Sequence, residues 1–379
     1  MNALEKMCAA LSPDGTSEIP AVILYENIFT RDHWQETTDL PWWYADSPDL
    51  GHQIAWRREL LKKTGIDWLR LMPFYTEEDR LHLAVVNDAN GVFLVDDRTG
   101  SRTKLEKPSI SGSTVAGLSE SVHPAQPALT YDEIDAIIPV PKNDDPHRVV
   151  SERKNDLAIH MLNELGGAFC PYIRVASPLW LCYNLWGFEH MMMLTATNPD
   201  LVVYASDLYC TLELRKIREA AALGTQVIFV EECLTDMISP ATFETLNLPF
   251  LRRLLDEIRS AGMKSIYYYC GNPDGKWEQI LSAGADALAF EEGKKGFEID
   301  VGDVVGRVNG QCALLGNLDS VGVLSRGSEE ELRNEIHRQI QAGRKNKSRF
   351  IMSIGSPVTP DTPVDRVRLY CDMVHEIGK

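Results

Sequence analysis

No apolar run in this chain of 379 residues approaches the eighteen or so that a membrane-spanning helix needs, which argues against an integral helical membrane protein. The opening stretch MNALEKMCAALSPDG has no apolar signal-like core, and the eight cysteines (8, 170, 182, 210, 233, 270, 312 and 371) include no CxxC pair. A cytoplasmic protein with reduced thiols is therefore expected. Positive charge is scarce: 38 Lys and Arg stand against 55 Asp and Glu, a net charge of -17. Phosphate binding needs a basic face, so nucleic acid and acidic membranes are poor partners for this chain. Glycines spaced as in a nucleotide loop are also missing; GNPDG (271–275) and GNLDS (316–320) read as strand-to-helix loops. Low-complexity tracts and short repeats are absent. Small molecules and other proteins remain as partners, and 44% hydrophobic residues can fill one large core or two ordinary ones.

What is present is alternation. From about residue 165 onward short apolar strands exchange with longer amphipathic helices. The expected strands are CPYIRVAS (170–177), TQVIFVEEC (225–233), SIYYYC (265–270), ADALAFEEG (285–293), CALLGNL (312–318) and RFIMSIGS (349–356). Helices are expected from Asp200 to about Ala222 and over 240–262, 276–284, 328–343 and 362–378, the last with Thr362 as cap and Pro363 at its first position. Such regular alternation predicts a parallel α/β architecture, a (β/α)8 TIM barrel with an N-terminal hairpin and helical extension. One domain, 1–379, is expected, with 1–150 its less regular part and 151–379 the most recognisable part of the barrel. Within the former, 19–29 and 65–74 read as strands, and residues 80–110 as a hairpin turning near Asp97 to Gly100.

Barrel chemistry sits at the C-terminal ends of strands. Those ends carry Glu231, Glu232 and Cys233, then Cys270, then Glu291 and Glu292, then Asn317 and Asp319, and finally Ser353 and Ser356. Carboxylates at the tip of an apolar strand lose hydration unless a positive charge meets them. A divalent metal would supply that charge, and thiolate with carboxylate suits catalytic zinc. Two plainer readings stay open: EEGKK (291–295) as a solvated charge run, and the cysteines as small apolar filler.

The segments SPLWLCYNLWGFEHMM (177–192), FVEECLTDMISPATFETLNLPFLRRLLDEI (229–258), YYCGNPDGKWEQILSAGADALAFEE (268–292), LLGNLDSVGVLSRGSEEEL (314–332) and GSPVTPDTPVDRVRLYCDMVHEIG (355–378) together resemble the uroporphyrinogen decarboxylase superfamily over roughly 165–379. That resemblance implies a (β/α)8 barrel. Decarboxylases of the superfamily carry an RQAGR-type segment, whereas this chain has ENIFTRDHWQ and PWWYADSP there. The resemblance therefore points to the branch that transfers methyl groups from a small methylated substrate to a partner corrinoid protein. In that branch zinc is held by a His-x-Cys strand end, a glutamate on the next strand and a late Gly-Cys. Here Cys270 and Glu291 match, but Tyr268 replaces the histidine and Ser356 the last cysteine. The expected zinc ligands are Glu232, Cys270 and Glu291, with Tyr268 as the expected catalytic residue. A cofactor-free decarboxylase and a non-catalytic binding protein of the same fold are the alternatives.

Seven aromatics fall between residues 25 and 56: Tyr25, Phe29, Trp34, Trp42, Trp43, Tyr44 and Trp56. They read either as a packed N-terminal wrap or as a wall for a flat ring. On the second reading Trp42, Trp43 and Tyr44 bind substrate. Carboxylate ligands favour an oxygen donor at the open metal position, so a methoxylated aromatic undergoing O-demethylation is the expected methyl donor.

Overall fold

The structure, a computed structural model, describes residues 1–108, 127–141, 145–293 and 296–379. Lys294 and Lys295, and residues 109 and 110 of the expected hairpin, lie outside the described residues. In chain order the strands are β1 (Trp68–Arg70), β2 (Leu83–Asp88), β3 (Gly91–Asp96), β4 (Ser101–Leu105), β5 (Cys170–Ala176), β6 (Val227–Glu232), β7 (Lys264–Tyr269), β8 (Ala287–Phe290), β9 (Ala313–Leu315) and β10 (Phe350–Ile351). Seven of them form one parallel sheet in the order β1-β5-β6-β7-β8-β9-β10. Its two edges are joined through residues 20–22. Asp67 N donates to the Ala21 carbonyl at 2.8 Å, Val22 N to that of Met352 at 2.9 Å, and Met352 N to that of Pro20 at 2.9 Å. Eight parallel segments thus close the expected (β/α)8 ring. The remaining strands, β2 to β4, form a separate antiparallel sheet that includes the hairpin read from sequence.

Strand β6 is buried along its whole length, VIFVEE, because a parallel strand has packed side chains on both faces. Inside the ring Trp68 stacks on Tyr172 at 4.3 Å, and Phe229 lies 6.2 Å from Tyr172 and 5.8 Å from Tyr268. On the outer face Tyr269 meets Phe243 of the helix layer at 6.2 Å. Around the ring, the Pro199–Leu223 helix ends on Gly224 at φ 93, a conformation glycine adopts without steric penalty. The Glu329–Arg344 helix starts on a capping box of Ser328 and Glu331.

Three local expectations differ from the structure. In the 19–29 segment, Ala21 bridges Met352; Tyr25 then takes φ 57 and turns the chain into the Glu26–Asp32 helix, so ENIF is helical rather than extended. The last helix begins at Val364 with Pro363 in the cap position, while the Thr362 hydroxyl bonds that of Thr359 at 2.8 Å. The helix Val301–Val308 was not expected, because a valine-rich run of eight residues carries as much strand as helix preference. Its start is fixed by the Asp300 side chain accepting from Gly302 and Asp303.

At the start of β1 a charge cluster ties both chain ends to the barrel. Asp67 pairs with Lys6 of the first helix and His375 of the last, each at 2.7 Å, and accepts from Ala21 N at 2.7 Å. His375 and Lys6 hold this carboxyl below its ordinary pKa although burial alone would raise it.

Candidate active site

Strand register decides which tip residues share the barrel lumen. Glu231 lies beside Tyr268 and Glu232 beside Tyr269 in the β6–β7 pair. Neighbours in a parallel pair point to the same face and successive residues alternate. Because Tyr268 meets Phe229 and Tyr25 in the lumen, that face also receives Glu231, Cys233 and Cys270. Glu232 faces the helices instead. It is fully buried, accepting from Ser177 Oγ at 2.5 Å, Asn247 Nδ2 at 2.7 Å and Tyr267 Oη at 3.3 Å. Burial raises its carboxyl to about 7 against the pull of these hydrogen bonds. The expected ligands Glu232 and Cys270 therefore sit on opposite faces of the sheet.

On the lumen face Tyr25 Oη donates to Glu231 Oε1 at 2.6 Å, and Arg174 Nε lies 2.7 Å from Glu231 Oε2. The second contact is an ion pair only, since Oε2 accepts no hydrogen bond among the described residues. Burial, followed by the Glu231 charge, raises the Tyr25 phenol well above its ordinary value and keeps it protonated. Cys233 and Cys270 share a thiol hydrogen bond, which together with burial pushes the Cys233 thiol up. Tyr268, 1% exposed, donates to the Gly355 carbonyl at 3.0 Å. Burial raises its phenol as well, and Tyr25, Cys270, Glu291 and Cys233 add to the rise through their proximity. The Glu291 carbonyl accepts from Asn317 Nδ2 at 3.1 Å. Ser356, at the position where the resemblance has a cysteine, donates to Glu292 Oε2 at 2.7 Å.

Zinc is the cofactor that the resemblance implies, and a catalytic zinc takes three protein ligands. Among the described residues no group of three or more His, Cys, Asp or Glu side chains is arranged to hold a metal ion. Two thiols meet, while the adjacent carboxylate, Glu231, is engaged by Tyr25 and Arg174. The arrangement does not fit zinc.

A narrow cleft opens at this mouth, lined by Leu24, Tyr25, Glu26, Asn27, Trp68, Arg70, Tyr172, Arg174 and Phe229. A second pocket shares the wall Glu26, Asn27, Trp68 and Arg70 and extends to Trp56 and Arg57. Trp42, Trp43 and Tyr44 line neither; Trp43 lines a separate cleft with His52 and Arg80, and Trp42 another with His33 and Trp34. They form a turn in which Tyr44 stacks on His52 at 3.8 Å with Trp43 edge-on to Tyr44 at 4.8 Å. The aromatic wall at the mouth consists instead of Tyr25, Trp68, Tyr172 and Phe229. Sequence reasoning passed over Arg174, whose signal was an arginine inside the apolar strand CPYIRVA.

A family model described as uroporphyrinogen decarboxylase (URO-D) matches residues 122–377. This chain belongs to the URO-D family. It is 24% identical over 267 residues to a uroporphyrinogen decarboxylase of Desulfotalea psychrophila, covering 69% of this chain and 74% of that one. A uroporphyrinogen decarboxylase of Anaeromyxobacter sp. is 25% identical over 256 residues, 66% of this chain and 70% of its own length. The solved structure of a methyltransferase from Methanosarcina mazei matches with a TM-score of 0.66, 16% identity and 99% coverage of both chains, a shared fold. Among the described residues no helix is long and apolar enough to cross a membrane.

Proposed function

We propose that this URO-D family member is a methyltransferase that takes the methyl group of a small methoxylated aromatic compound and passes it to the reduced cobalt of a partner corrinoid protein. The observation that carries this reading is the lining of the mouth: the aromatic faces of Trp68, Tyr172 and Phe229 beside the protonated phenol of Tyr25, held 2.6 Å from Glu231. The methyltransferase of the same fold supports the class of reaction.

In the reaction the ether C–O bond breaks as a carbon–cobalt bond forms from the cobalt electron pair. The ether oxygen leaves with its own pair and takes a proton. An aryl oxide leaves poorly without help, so a donor and a positive charge beside it are needed. Tyr25 supplies the proton, Arg174 the positive charge, and Glu231 holds both in place. Tyr268, expected from sequence as the catalytic residue, has its hydroxyl on Gly355 and packs edge-on to Tyr25 at 6.1 Å, which suits a positioning role.

The test is anaerobic mixing of the protein with reduced corrinoid protein and a panel of methoxylated aromatics, following methyl-cobalt absorbance. At least one ether should methylate cobalt, and Tyr25→Phe should slow the transfer by about 100-fold or more, the usual weight of a positioned proton donor. No methyl-cobalt with any ether from the folded protein would end this reading.

A further inference from the structure

Arg57 is 5% exposed and carries a charge that no carboxylate meets directly. Its Nη1 donates to the Gln53 carbonyl at 2.9 Å and to Gln53 Oε1 at 2.6 Å, its Nη2 faces the Met72 sulfur at 3.3 Å, and its guanidinium lies 4.0 Å over the Trp56 ring. Among the described residues it forms no ion pair, and both oxygens of the nearby Glu26 carboxylate accept from Tyr172 Oη, at 2.8 and 2.7 Å. A buried guanidinium without a counter-ion is unfavourable unless an anion reaches it. Burial, and after it the charge of Arg70, lower the Arg57 pKa to about 9, while the nearby Glu26 charge opposes the fall. A second group in the same wall also lacks a partner. Trp68 is 2% exposed, and its Nε1–H finds no acceptor among the described residues. Arg57, Arg70 and Trp68 all line the second pocket, and Trp68 and Arg70 line the mouth cleft too.

We propose that this wall is a carboxylate subsite, in which Arg57 and the Trp68 N–H hold the carboxylate of an aromatic acid whose ring extends toward Tyr25 and Glu231. One donor without an acceptor, the Trp68 N–H, and a guanidinium without an ion pair line the same pocket as Arg70, and a planar carboxylate matches the fork of a guanidinium. The inference rests on the proposed methyl transfer and narrows its donor to methoxybenzoate-type acids.

Equilibrium binding to the purified full chain tests it without corrinoid or turnover. Wild type should bind 4-methoxybenzoate about 10- to 100-fold more tightly than the corresponding neutral amide, the range for a hydrogen bond to a charged group. Arg57→Gln should abolish that preference, and Trp68→Phe should reduce it in part. Should Arg57→Gln not fold, the acid-against-amide comparison on wild type and the Trp68→Phe variant decide the matter. Equal affinity of wild type for acid and amide, or binding of neither, would overturn the subsite. The two proposals fail separately: preference for the acid through Arg57 without methyl-cobalt formation keeps the subsite and removes the transferase, and methyl transfer without acid preference does the reverse.

Discussion

Replacing Glu232 by Gln should make the protein more stable at alkaline pH, against the usual result of changing a fully buried polar residue. The native carboxyl titrates near 7 because burial disfavours its charge, whereas an exposed glutamate titrates near 4.5. A pKa raised by folding contributes stability that is fully present below the unfolded value and is lost as pH rises through the folded one. Linkage over that interval amounts to about 3 kcal/mol, of which about 2 kcal/mol falls between pH 5.5 and 8.5. Glutamine keeps an acceptor for Ser177 Oγ and does not titrate. Its added N–H groups can be met by the Asn247 amide after a flip, since Asn247 Oδ1 is buried without a partner among the described residues. Urea unfolding followed by circular dichroism, on both proteins at pH 5.5, 7 and 8.5, measures the effect. The stability difference between Glu232→Gln and wild type should shift in favour of the variant by about 2 kcal/mol over that range. Parallel pH dependence in the two proteins would refute the raised carboxyl.

Asp67→Asn should lower stability by about 3–5 kcal/mol at neutral pH, because it leaves Lys6 buried without its carboxylate; a urea-unfolding change below about 1 kcal/mol would show the cluster to be unimportant. On acidification the wild-type contribution of this depressed carboxyl should persist above the ordinary aspartate range, near pH 4, and fade below it, so Asp67→Asn should show a shallower acid limb. Gly355→Ala places a methyl against the Glu292 backbone nitrogen and carboxylate, and overpacking of this kind costs about 1–3 kcal/mol; thermal unfolding reads it, and an unchanged melting temperature would mean that the 355–356 turn yields freely.

From its sequence alone the chain determined the ring. Strand and helix alternation from 170 onward, with glycine and serine caps, depends on local hydrophobic period and turn chemistry, and the expected elements recur in order in the structure, with the later strands shorter than read: 349–356 is a strand only over Phe350–Ile351. It also identified Glu231, Cys233, Cys270 and Glu291 as strand-end chemistry. What it left open was parity. Strands such as VIFVEE and SIYYYC are apolar on both faces, so no alternation of polar and apolar residues marks the lumen side, and the sequence reading pairs Cys270 with Glu232 rather than Glu231. Only the pairing of Glu231 with Tyr268 across β6 and β7 resolves that choice, and register between strands some forty residues apart is a property of the closed barrel. The aromatic wall was hidden for a related reason. Trp42, Trp43 and Tyr44 are neighbours in sequence and satisfy one another in a turn, whereas Tyr25, Trp68, Tyr172 and Phe229 come from four separate segments that meet only when the ring closes on residues 20–22. Arg57 and Trp68 were legible only as a helical arginine and a strand tryptophan. That both are buried donors lacking an acidic acceptor is decided by the packing around them, since a side chain's partners are set by tertiary contacts that local sequence does not encode.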